Sequence, residues 1–121
     1  KSFQAGTIFD GHSTSYGRLT QYAPGPDLRA RAATYSDSLT GLAYNSLGLV
    51  RVIFNGATSK FQINDDAATT GNYGTLGSTA FTLGCAGDIN AFISMDVVEL
   101  ILRSGADSDG VYDAIGDYLK K

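Results

Sequence analysis

The sequence has no tryptophan, one cysteine, one histidine, one methionine and two prolines among its 121 residues, and a single glutamate among its twelve acids. Each scarcity excludes something. A lone Cys85 cannot form an intramolecular disulfide, so a small disulfide-stapled scaffold is ruled out. It reads as a small residue in a glycine-rich loop or as one half of a bond between subunits. A lone His12 leaves any thiolate or serine nucleophile only one histidine to act as its base. Charged residues make up 17 %, below the ~25 % of ordinary globular chains, which argues against disorder. No run approaches the ~20 apolar residues of a membrane span, and no basic-then-apolar leader opens the chain, so a soluble, mature protein with no membrane partner is expected. The P-loop, GxGxxG, HExxH and CxxC patterns are all missing, and neither enzyme, cofactor nor metal is expected.

The length fits one domain over 1–121, burying a little under roughly 70 % of its unfolded surface. Nine Lys and Arg against twelve Asp and Glu give a net charge of −3. The acidity is uneven. Residues 107–121 hold four Asp and two Lys, net −2, so the first 106 residues carry only −1.

Two-residue alternation dominates the first four-fifths of the chain. Ser15–Tyr22 places Tyr16, Arg18, Thr20 and Tyr22 on one parity of a strand, and Ala-Pro-Gly-Pro-Asp at 23–27 then breaks it. In Leu28–Ser36, Arg29, Arg31 and Tyr35 share one parity while Leu28, Ala30 and Ala32 share the other. Leu47–Phe54 is a stronger strand, joined by an Asn55-Gly56 turn to a partner over Thr58–Ile63. Residues 64–88 form a Gly/Thr/Ala-rich stretch with one short strand expected at Thr79–Leu83. The longest strand expected is Ile89–Arg103, apolar on both faces toward its end and therefore in need of cover on both sides.

The period changes after Ser104-Gly105-Ala106. Caps at Asp107-Ser108-Asp109 open a helix over about 109–120 with Val111, Ala114, Ile115, Tyr118 and Leu119 as its apolar stripe. Two glycines, Gly110 and Gly116, weaken it by about 1 kcal/mol each against Ala, so it requires packing, and the apolar face of 89–101 is the expected partner. The fold class is α+β, an antiparallel sheet followed by a helix.

Four of the five arginines, Arg18, Arg29, Arg31 and Arg51, fall inside expected strands. A guanidinium is a planar fork suited to phosphate and base edges. Alternatively the arginines lie along an exposed sheet face and pair with Asp96 or Glu99. Asp10 and His12 could supply a small hydrolase, although His12 reads equally as a turn residue. Asp107-Ser-Asp109-Gly110 fails as a calcium loop, because Gly105 and Gly116 occupy positions that need carboxylates. Asn64-Asp65-Asp66 reads as a turn.

Ala91–Lys120 (AFISMDVVELILRSGADSDGVYDAIGDYLK) resembles the coat proteins of small single-stranded RNA bacteriophages of the levivirus type. The resemblance rests on the strand Phe92-Ile-Ser94-Met95-Asp96, an apolar strand end, a Ser/Gly/Ala/Asp turn and a short amphipathic helix ending in Leu-Lys. It implies an N-terminal hairpin, an antiparallel sheet of about five strands, and a C-terminal helix packed on one face or across a dimer partner. It further implies a homodimer joined edge to edge, then an icosahedral shell around genomic single-stranded RNA, hence a virion location after assembly in the bacterial cytoplasm. On the last strand, Phe92, Ser94 and Asp96 match the family's RNA-contacting positions, the aromatic stacking on a base. Arg29, Arg31 and Arg51 would add phosphate contacts by parity. The family's second helix has no counterpart before Lys121, so a simpler dimer clasp is expected. The alternative function is a monomeric secreted β-rich module that binds carbohydrate or another surface ligand through stacked Tyr and Phe.

Overall fold

Small apolar residues alternating with arginines build the first sheet. The computed structural model describes residues 5–12, 17–22 and 25–121. Ser15 and Tyr16 of the expected second strand, and Ala23 and Pro24 of the break after it, lie outside these. Strand β1 (Gly6–Asp10) forms an antiparallel hairpin with β2 (Arg18–Gln21), closed where the Gly11 N–H donates to the Gly17 carbonyl at 2.9 Å. β2 pairs in turn with β3 (Leu28–Arg31), setting Arg18 opposite Arg31 and Thr20 opposite Arg29. Leu19, Gln21, Leu28 and Ala30 therefore point inward and the three arginines share the other face.

Three strands form a second antiparallel sheet: β4 (Val50–Ile53), β5 (Ser59–Ile63) and β6 (Thr69–Gly71), in that order. Asn55-Gly56 does reverse the chain, with Gly56 in the left-handed region at φ +55°, but through a 3-10 turn over Gly56–Thr58 and not a two-residue hairpin. The Ser59 hydroxyl holds that turn by donating to the Gly56 carbonyl and accepting from the Asn55 N–H. Leu19, Leu28 and Ala30 of the first sheet meet Phe61 and Ile63 of the second in one core, with Tyr73 between them. Full burial of Phe61, Leu19 and Ile63 contributes roughly 1.5–3 kcal/mol each.

The expected strand Leu28–Ser36 ends early, at Arg31. Ala33 takes φ 97°, and the Ala32 and Thr34 N–H groups both donate to the Tyr73 carbonyl, at 2.7 and 3.1 Å. The chain then doubles back, so Tyr35 faces Arg31 and Leu39 bridges Leu28, covering the outer edge of β3. Of the strand expected at Thr79–Leu83, only Thr82–Leu83 pairs, as β7 at the far edge of the first sheet beside β1.

The expected strand Ile89–Arg103 is not part of either sheet. Ile89 and Ala91 have positive φ and turn the chain. Residues 91–93 touch the sheet edge through Thr7 N–H to the Ala91 carbonyl and Ile93 N–H to the Gly84 carbonyl. From 94 to 107 there is no helix or strand, and no backbone hydrogen bond among the described residues. Two apolar faces demand cover on two sides, and the described residues leave Val97, Val98, Leu100, Ile101 and Leu102 exposed, with Ile93 and Met95 half-buried.

Helix α1 (Asp109–Leu119) forms where the caps and period place it. Its packing differs from the expected one. Tyr112 and Gly116 are its buried residues, and they face the second sheet, where the Arg51 guanidinium lies 4.4 Å from the Tyr112 ring centre. A Cβ at Gly116 would collide with that guanidinium, so glycine is what allows the close approach. Lys60–Asp109 and Lys120–Asp65 ion pairs complete the attachment. The stripe at Val111, Ala114 and Tyr118 is left exposed, with Ile115 and Leu119 half-buried. Stacking and charge on Arg51 set the helix's rotation, and the face of 89–101 does not. Among the described residues no helix is long and apolar enough to cross a membrane.

Burial raises the Tyr73 hydroxyl pKa above 10.0, and the negative charge of Asp37 adds to the rise. Burial also raises Tyr112, with Arg51 opposing and Asp113 and Tyr73 reinforcing. In both cases the fold favours the neutral phenol. Their contribution is therefore complete below pH 10 and drains as pH climbs through the higher folded values. The denaturation midpoint should fall as pH rises above about 10, and Tyr73→Phe should flatten that fall. A midpoint equally steep in the variant would contradict the assignment.

Candidate nucleic-acid interface

The outer face of the first sheet gathers cations and aromatic rings. Arg18 is taken up internally: its Nη2 lies 2.6 Å from Asp10 Oδ2, Asp10 is fully buried and Arg18 is 11 % exposed. Arg29 and Arg31 differ. Among the described residues neither forms an ion pair, so neither charge is compensated by a neighbouring acid. Arg29 lies over the Tyr22 ring at 4.1 Å and donates to Ser38 Oγ; Arg31 lies over Tyr35 at 4.6 Å and donates to the Tyr35 hydroxyl and the Ala33 carbonyl. Both tyrosines are exposed, so each arginine rests on a ring that restricts its rotamers and presents an edge to solvent. A shallow groove of about 250 Å³ runs along this face, lined by Thr7, Arg18, Thr20, Tyr22, Tyr35 and Ala91. Neither Asp96 nor Glu99 pairs with an arginine among the described residues.

The expected last-strand trio is only partly brought to this face. Phe92 is 63 % exposed and adjoins the groove through Ala91, its backbone lying against Gly6. Ser94 and Asp96 are exposed in the stretch without secondary structure, with no hydrogen bond or ion pair among the described residues. Arg51 lies on the second sheet. Its side chain is 9 % exposed, donates to the Tyr112 carbonyl at 3.1 Å and sits 3.9 Å from Asp113. In this conformation α1 covers it.

Sequence reading missed Tyr22 and Tyr35 as partners of the arginines. Parity aligned Tyr35 with Arg31, but the tight reversal at 32–34 that stacks them depends on Tyr73, far along the chain. Tyr22 meets Arg29 only through the β2–β3 register. Asp10, considered beside His12 as a catalytic pair, accepts from Arg18 and from the Gly87 N–H at 2.8 Å. His12 is exposed with φ 75° and shares no hydrogen bond with it. No group of three or more His, Cys, Asp or Glu side chains converges among the described residues.

The arrangement offers two fixed, unneutralised guanidiniums, two aromatic surfaces and an open groove. Such a face can hold phosphates and stack flat bases. Comparison with protein-family models, curated proteins and solved structures returns no match to this chain.

Proposed function

We propose that the chain is a structural coat protein that dimerises edge to edge and assembles into a shell around single-stranded RNA. The observation that carries this reading is the stretch 94–107, rich in exposed apolar side chains and without backbone hydrogen bonds among the described residues. Val97, Val98, Leu100, Ile101 and Leu102 are all exposed, Val98 at 79 %. A chain that stayed monomeric would carry a lasting aggregation hazard there. The exposed stripe of α1 adds a second surface for a neighbouring copy to cover.

RNA is the polymer the arginine–tyrosine face suits. Arg29 and Arg31 would take phosphates, and Tyr22, Tyr35 and Phe92 would take unstacked bases. A net charge of −3 is compatible with this, because the acids concentrate after residue 106 and assembly repeats the basic face many times. A carbohydrate-binding monomer is supported less well, since it would leave the exposed Val97, Val98, Leu100, Ile101 and Leu102 without cover.

Replacing Arg29 and Arg31 together with Ala should weaken single-stranded RNA binding by about tenfold or more, with the dimer intact. The slope of log affinity against log salt should shrink by about 1.4, two phosphate contacts being lost. Unchanged affinity and slope would remove this face from the interface.

A further inference from the structure

We propose that α1 is a built-in competitor for phosphate: its acids occupy the outer face of the second sheet and withhold Arg51 and Lys60 from RNA until the helix leaves. This rests on the RNA reading above and adds its regulation.

The β4–β5–β6 register sets Arg51 opposite Gln62, and Lys60 opposite both Ile53 and Thr70, while Phe61 and Ile63 turn into the core. Arg51 and Lys60 therefore share the outer face. Helix α1 carries an acid at every fourth position, Asp109, Asp113 and Asp117, each step rising about 6 Å along one side of the helix. Asp109 pairs with Lys60, Asp113 lies 3.9 Å from Arg51, and Asp117 meets Lys120, which also holds Asp65. The sheet cations thus meet a row of negative charge, the feature a phosphate backbone presents.

Charge holds this helix more than apolar packing does. Its buried residues are Tyr112 and Gly116, and its three acids stay exposed, so their ion pairs are screened by salt. Docking leaves two buried groups, Arg51 Nε and the Tyr112 hydroxyl, without a hydrogen-bond partner among the described residues. Release returns both to water. The stretch 94–107 leading into α1 has no backbone hydrogen bond among the described residues, so the helix can leave while both sheets stay folded. With two glycines and no packing, the released segment loses its helix. Apparent RNA affinity is then the intrinsic affinity reduced by the fraction of molecules with α1 off.

Two variants open the face by different means. Gly116→Ala changes no charge but sets a Cβ against the Arg51 guanidinium. Asp109→Asn with Asp113→Asn removes the acids that sit on the cations. Amide hydrogen exchange should be faster over 112–119 in both, and in the parent at about 1 M salt, with 59–63 unchanged. In low salt both should bind a short oligouridylate about threefold or more tighter than the parent, and adding Arg51→Ala should remove the gain. Unchanged exchange over 112–119, faster exchange without tighter binding, or a gain that survives Arg51→Ala overturns the competitor. Each leaves standing the RNA reading, which Arg29 and Arg31 carry. No binding by the parent or any variant overturns both.

Discussion

Asp10→Ala should destabilise the protein by about 3–5 kcal/mol, a large part of what holds a domain of this size folded. Asp10 is fully buried and Arg18, directly opposite across the β1–β2 hairpin, is nearly so. Removing the carboxylate strands the guanidinium without its ion-pair partner, Arg18 having no second one among the described residues, and it also takes the acceptor from the Gly87 N–H that ties 85–88 to the hairpin. The cost comes from the charge left behind more than from the bond lost. Asp10→Asn, which keeps an acceptor for Gly87, should cost less. Asp10→Ala combined with Arg18→Leu should recover part of the loss, since it buries no charge. Urea or guanidinium unfolding of the four proteins measures this. A loss below about 1 kcal/mol in Asp10→Ala would show that Arg18 finds water instead.

Gly74→Ala is expected to be comparably severe, at about 3–5 kcal/mol, combining backbone strain with overpacking. Gly74 has φ +100°, and a Cβ there would overlap the carbonyl of Ala32, which is backbone and cannot swing aside. The position joins the two sheets. The Tyr73 carbonyl accepts from Ala32 and Thr34 beyond β3, while the Gly74 carbonyl accepts from Gly56 in the β4–β5 turn. Pushing this segment away therefore loosens the core around Tyr73 as well. Gly77→Ala is the control. A Cβ there meets nothing within 4 Å, and the variant should unfold within about 0.5 kcal/mol of the parent. Equal stabilities for the two variants would contradict the role given to the junction.

Where one physical rule dominates a segment, the sequence carried its structure. Alternation placed Leu28 and Ala30 inside and Arg29 and Arg31 outside, because a strand with one wet face leaves no other solution. β4 and β5 followed from their β-branched and aromatic residues, and α1 from its caps and period. Segments decided by distant partners were not legible. Thr69–Gly71 is too short and too ordinary to announce β6. Nothing near Ala33 indicates that Tyr73 will claim its neighbours' N–H groups. Gly116 read as a weak point of α1, whereas it is where Arg51 comes closest. The α1 stripe was legible as apolar, but its partner in one copy was not, since a stacked guanidinium outweighs a few apolar contacts.

The face was half legible in the same sense. Arg29 and Arg31 followed from parity, Tyr22 and Tyr35 from strand register and a reversal that parity cannot show. Ile89–Arg103 is the instructive case. Its composition is that of a strand covered on both sides, and the described residues leave most of its apolar side chains exposed. The composition and the structure agree if a second copy of the chain completes the strand.

Light scattering and electron microscopy of the purified protein, with its nucleic-acid content measured after nuclease treatment, test the assembly reading most directly. The expected result is a dimer as the smallest species, together with closed particles that protect single-stranded RNA. A stable monomer at all concentrations, forming no particles and holding no RNA, would contradict it.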